Sequence, residues 1–150
     1  MFGLMMDRPL LISSLIEFAD RYHPDAEIVT HTVEGPVHRY TYADAHRRAR
    51  RAANLLTALG IRGGDRVATL AWNTYRHFEL YYAISGSGAV CHTVNPRLFE
   101  EQIVYILNHA DDRVVFFDAT FAALVSKLKS QCPKVERWLD RYPPKPQTDA

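Results

Sequence analysis

Cysteine, clustered glycine, long apolar runs and a surplus of either charge are all scarce in this chain of 150 residues. Two cysteines cannot build a disulfide framework, and Cys91 in an apolar segment and Cys132 in a Cys-Pro step read as reduced, unbridged thiols of a cytoplasmic protein. The 18 Lys and Arg residues against 17 Asp and Glu leave a formal net charge of +1. Such a balance supplies no global field for nucleic acid or an anionic membrane, so either partner would need a local patch. No transmembrane segment is expected, because the opening MFGLMMDRPLLISSLIEFADRY is broken by Asp7 and Arg8 and again by Glu17, well short of a span. None of the seven histidines, His23, His31, His38, His46, His77, His92 and His109, has the i,i+4 or Cys-x-x-Cys context of a zinc site. Gly86-Ser87-Gly88 follows a helical pattern and precedes a strand, the reverse of a dinucleotide fingerprint, and no Gly-Lys-Ser/Thr of a phosphate loop is present.

What is there is a repeated alternation of strand and helix. The first helix carries Leu11, Leu15, Phe18 and Tyr22 on one face, expected to pack on the core or on a partner, with a peripheral-membrane role for the Met-rich start as the weaker alternative. Glu27 to Thr32 and Val37 to Tyr40 flank Glu34-Gly35-Pro36 and read as an antiparallel hairpin. In YTYADAHRRARRAANLLTALG, Thr41 is placed to cap a helix with Asp44 three residues on. Gly60 stands at the left-handed stop, and Ala45, Ala49, Ala52, Leu56 and Leu59 form its buried stripe. Strands are expected over 66–71, 89–94, 113–117 and 135–139, with helices over about 74–85, 100–110 and 119–130 between them. Alternation of this kind implies an α/β fold, a mainly parallel sheet covered by helices on both faces, with the small β-hairpin near residues 27–40 beside it.

In an open parallel sheet ligands bind beyond the carboxyl ends of the strands, where this sequence puts Asn73, Asn95 and Asp118. Asn73 and Asp118 are accounted for as helix N-caps, which leaves Asn95-Pro96-Arg97 partly unexplained. Cys91 and His92 are adjacent in a strand, point to opposite faces, and so form neither a metal pair nor a nucleophile and its base. They read as core fillers. Arg47, Arg48, Arg50 and Arg51 fall off the alanine–leucine stripe and are expected to line a solvated helix face, with nucleic-acid binding as the sharper and less supported alternative. The residues by themselves reach an α/β domain with a crevice rim and no complete active site.

The run from Tyr40 to Asp118 resembles the N-terminal part of bacterial fatty-acyl-CoA synthetases of the AMP-forming, adenylate-forming (AMP-binding) superfamily. Thr41-Tyr42-Ala43-Asp44 resembles that superfamily's first core motif. Gly86-Ser87-Gly88-Ala89 through Asn95-Pro96-Arg97-Leu98 resembles its second, in the form of the medium- and long-chain fatty-acid branch. The likeness extends over about residues 9–139. It implies a ligase that converts a fatty acid to an acyl-adenylate with ATP and magnesium, releases pyrophosphate, and passes the acyl group to coenzyme A. It also implies a homodimer through the N-terminal region in some members. The family's phosphate loop, its Tyr-Gly-x-Thr-Glu segment, its hinge Asp and its C-terminal lysine have no counterpart here, and Phe99 stands where relatives often carry Ser. No catalytic, cofactor-binding or metal-binding residue is therefore assigned.

Residues 1–139 are expected to be an incomplete N-terminal subdomain, inactive alone, and 140–150 a Pro-rich, disordered tail. A non-enzymatic dimerisation or interaction module derived from such an enzyme is the alternative. An unpaired sheet edge is also expected, with poor solubility or self-association as its consequence.

Overall fold

The computed structural model describes residues 10–33 and 35–140 together with Gly3 and Asp7. The Pro-rich tail from 141 onward, most of the Met-rich start and Glu34 of the hairpin turn lie outside the described residues. Helix α1 (Ser13–Tyr22) leads into strands β1 (Glu27–His31) and β2 (Val37–Thr41), an antiparallel pair in which Val29 faces Arg39. Then follow α2 (Tyr42–Ala58), β3 (Arg66–Leu70), α3 (Tyr75–Gly86), β4 (Val90–Val94), α4 (Glu100–Ala110) and β5 (Val114–Phe117). A single 3₁₀ turn over Ala119–Phe121 precedes α5 (Ala122–Leu128), and β6 (Arg137–Asp140) closes the order.

The second sheet has the strand order β4-β3-β5-β6, and every pairing in it is parallel. Alternation along each strand divides its side chains between two cores. Val67, Val114 and Phe116 meet Leu56 of α2 and Leu80, Ala83 and Ile84 of α3, while Ala68, Leu70, Val115 and Phe117 meet Ile103 and Leu107 of α4 and Val125 and Leu128 of α5. Burial on both faces explains why residues 67–70 and 114–117 are buried without interruption. The chain after β3 leaves toward the α2/α3 face, whereas the chains after β4 and β5 leave toward the α4/α5 face. The carboxyl end of β3 is therefore a topological switch point, flanked on each side by a loop heading the other way.

Helix α2 forms as its residues dictate. Thr41 Oγ1 accepts the Asp44 N–H at 3.3 Å and an Asp44 carboxylate oxygen accepts the Thr41 N–H at 3.3 Å, a reciprocal capping box with Asp in place of Glu. Gly60, at φ +76°, supplies the left-handed residue just past the last turn. Ala45, Ala49 and Leu56 are buried, with Ala52 and Leu59 packed partly behind them.

Four expectations are corrected. Leu11, Leu15, Phe18 and Tyr22 do not pack on the core but face solvent, which leaves packing on a partner as the part of the expectation still open; α1 buries Ile16 against Tyr40, Ala45 and Tyr75, because the helix has apolar side chains at two registers and only one meets the body of the protein. Gly86 lies beside Ser13, where an added Cβ would make only ordinary contact with the Ser13 Cβ, at 3.6 Å. The cap position of α3 falls at Thr74 rather than Asn73, which is exposed, and neither side chain closes a cap bond. Asp118 stands at the start of the 3₁₀ turn without capping it, and the helix behind it ends at 128. The last strand begins at Arg137, since the Glu136 N–H first bonds the Arg113 carbonyl at 2.8 Å.

Candidate functional site

At the switch point the chain after β3 and the chain after β5 are tied together. Asp118, 5% exposed at the end of β5, accepts the backbone N–H of Trp72 at 2.6 Å, and its own N–H donates to the Leu70 carbonyl at 3.1 Å. Trp72 Nε1 donates to Thr120 Oγ1 at 3.1 Å, and the Trp72 ring stands 5.1 Å from that of Phe121. Asp118 thus spends its carboxylate on fixing a loop 46 residues away rather than on a helix end. A rim of this kind fixes the loop after β3 against the loop after β5.

On the other side of β3, Asn95 Oδ1 accepts the Arg97 N–H at 3.0 Å and the Asn95 carbonyl accepts the Leu98 N–H at 3.3 Å. Asn95-Pro96-Arg97-Leu98 is therefore a side-chain-closed turn, which answers why a strand ends there. The Arg97 side chain is exposed and has no acidic partner among the described residues. Phe99 carries no side-chain oxygen with which to cap α4, and Gln102 Oε1 accepts the Phe99 N–H at 3.1 Å.

Two polar arrangements lie outside the reading of the sequence. Glu79, 7% exposed on α3, accepts from Arg48 Nε at 2.7 Å, so the arginine row is not uniformly a solvated face. Burial raises the Glu79 carboxyl above the usual range while Arg48 opposes that rise, and burial likewise pushes the nearby Tyr40 phenol far up. His38 stacks on Tyr75 at 3.7 Å between centroids, and its imidazole is lowered by burial and then by Arg48 and Arg76. The set clamps the hairpin to α2 and α3. Its signal was present in the sequence: Glu79 is four residues after Tyr75 and four before Ala83, on the buried face of α3.

The second arrangement is His92, whose Nδ1 lies 2.6 Å from Oδ2 of the fully buried Asp112. The bond to Asp112 raises the imidazole, against the effect of burial. His92 is thus a bonded partner rather than a core filler. Register places Cys91 beside Val67 and His92 beside Ala68, on opposite faces of the sheet. Burial pushes the Cys91 thiol up to about 11, the wrong direction for a nucleophile, and Cys132 is buried and likewise raised by burial. Among the described residues no three His, Cys, Asp or Glu side chains gather as a metal site, and no helix is long and apolar enough to cross a membrane.

The sheet order, the switch-point rim and the Asn-Pro-Arg-Leu turn together define a class. The family described as AMP-binding enzyme matches residues 16–149, and the chain belongs to that family. The match continues past residue 139, where the resemblance in the sequence was expected to stop. Over 139 residues the chain is 54% identical to a 3-methylmercaptopropionyl-CoA ligase of Ruegeria lacuscaerulensis, covering 93% of this chain and 26% of that protein. It is 47% identical over 139 residues to a medium-chain-fatty-acid–CoA ligase of Ectopseudomonas oleovorans, covering 93% of this chain and 26% of that protein. A crystal structure of the N-terminal domain of FACL13 from Mycobacterium tuberculosis superposes with a TM-score of 0.79 at 29% identity, over 87% of this chain and 33% of that one. The chain therefore spans about a quarter of the length of these curated relatives.

Proposed function

We propose that this chain is the N-terminal portion, residues 1–139 at least, of a cytoplasmic acyl-CoA ligase, and that it is inactive by itself. In the whole protein a carboxylate attacks the α-phosphate of ATP, with magnesium, to give an acyl-adenylate and pyrophosphate. The thiol of coenzyme A then displaces AMP and leaves the thioester. The observation that carries the reading is the identity to acyl-CoA ligases through 93% of this chain. The acid is proposed to be a medium- or long-chain fatty acid; because one relative is a 3-methylmercaptopropionyl-CoA ligase, that short thioether acid belongs in the same assay.

The residues described do not fit ATP, magnesium or coenzyme A as a self-sufficient site. The only Gly-x-Gly follows a helix, no acidic or imidazole cluster stands ready for a cation, and the rim carboxylate of Asp118 holds a backbone amide. No chemical step is assigned to them. Their role is to supply four parallel strands and the rim that the rest of a ligase builds on.

Two preparations test this. The 150-residue chain with ATP, magnesium, coenzyme A and either acid releases no AMP; release above background overturns the claim of inactivity. A chimera in which this chain replaces the matching first quarter of the Ruegeria ligase forms thioester, and a folded but dead chimera overturns the scaffold assignment.

A further inference from the structure

The arginine run of α2 has no aromatic residue interleaved with it in the sequence, and the fold supplies two from another helix. Arg47, Arg50 and Arg51 stand at i, i+3 and i+4 of α2, one row that Asn54 extends to about 10 Å along the axis. Arg47 lies 2.9 Å from Asp44, whereas Arg50 and Arg51 have no carboxylate partner among the described residues. The row lines a hollow of about 420 Å³ together with His46 and Asp20. Through Asp20, His46 and Arg50 this hollow runs into a groove of about 1020 Å³ lined by Phe18 and Tyr22 of α1. Those two residues are 56% and 59% exposed, with their rings 4.7 Å apart. Asp20 lies 2.6 Å from His46 Nδ1, and Glu17 is the other acid of the groove. Uncompensated guanidiniums in a row and open aromatic faces thus share one continuous depression.

We propose that this groove binds single-stranded nucleic acid. Successive phosphates follow the row from Arg47 to Arg51, and the neighbouring bases turn toward α1 and stack on Phe18 and Tyr22. A row of cations tracks a chain of charges, where a single small anion would be served by a cup. The rings decide for a single strand, because a duplex keeps its bases stacked inside and offers them nothing. A flat bilayer meets ridges, whereas these arginines line a hollow. Two-fold pairing of the chain on this face sets like arginines against each other, where they must be desolvated together. Nothing in the proposal depends on the ligase reading.

The experiment is fluorescence anisotropy of a labelled oligodeoxythymidylate of about 12 nucleotides, titrated with the full chain over a series of salt concentrations. The single strand binds, and a duplex of the same length binds about tenfold more weakly. Combined Arg50→Gln and Arg51→Gln flattens the slope of log affinity against log salt by about 1.4, two phosphates at about 0.7 each. Phe18→Ala and Tyr22→Ala each lower affinity about tenfold and leave that slope unchanged. All four residues are exposed, so the variants keep the far-ultraviolet dichroism of the parent. Lys129→Gln removes a charge from the opposite face of the sheet and changes neither quantity. Absence of binding at low salt, a duplex bound as tightly as the single strand, a slope that the arginine variants leave unmoved, or an equal loss in Lys129→Gln overturns the proposal. ATP that displaces the strand at an equal concentration of phosphate groups also overturns it, assigning the hollow to a small anion. So does capture of the chain by anionic vesicles with no capture by the oligonucleotide, which assigns the face to lipid.

Discussion

Protonation of His92 places a cation against the buried Asp112 carboxylate 2.6 Å away, and the same event at His38 adds a charge beside Arg48 and Arg76. Their effects on stability have opposite signs. The folded pKa of His92 is raised, so its contribution is complete below the unfolded value of about 6.5 and is lost as pH rises through the folded value. The folded pKa of His38 is lowered, so its contribution is present above about 6.5 and is lost as pH falls through the folded value. Denaturant midpoints taken between about pH 5 and 8 separate the two. His92→Gln removes the alkaline loss and His38→Gln the acidic one; a pH profile unchanged in either variant overturns that assignment. Arg48 and Glu79 give a double-mutant cycle. Arg48→Met alone costs about 2 kcal/mol, less than the usual cost of about 3–5 for breaking a buried pair because the arginine side chain is 45% exposed. Glu79→Leu added to it restores most of that loss, since no carboxylate is left buried without its partner. An additive cycle rules out the coupling.

Helix α2 was readable from its own residues because capping and termination are local. Thr41 and Gly60 flank the helix they define, and Asp44 lies in its first turn. Thr41→Ala removes both bonds of the capping box and lowers stability by about 1 kcal/mol. The thermal midpoint is expected to fall by about 4 °C, and a variant that melts with the parent would show that tertiary packing alone holds the helix start. Helix α1 was read with the right end at Tyr22 but with Leu11 on it, although the helix begins at Ser13, and the side of it that meets the core is the one that carries Ile16. Its period names two apolar faces and is silent on which one the rest of the chain approaches, so Ile16 could not be ranked above Leu15 or Phe18. Asp118 was misread for a related reason: a carboxylate before a helix is a good cap, and the competing Trp72 amide lies too far back in the chain for any local rule to reach.

Across the whole molecule the sheet has two edges. Strands β4 and β6 each pair on one side only among the described residues, and Val90 of β4 is 48% exposed. With the solvent-facing stripe of α1, these edges predict concentration-dependent self-association of the isolated chain, seen in light scattering and relieved when the rest of a ligase is joined to it. A strictly monomeric chain with one sharp melt overturns that expectation. The composition, the alternating periods and the motifs around Thr41 and Asn95 determined the element order, the parallel sheet and the family, because each depends on neighbours within a few residues. Which face of α1 is covered, which amide Asp118 holds, and the partners of Glu79 and His92 were decided only by tertiary structure. Those contacts join residues at least 20 positions apart, and their energies depend on burial that no single segment possesses by itself.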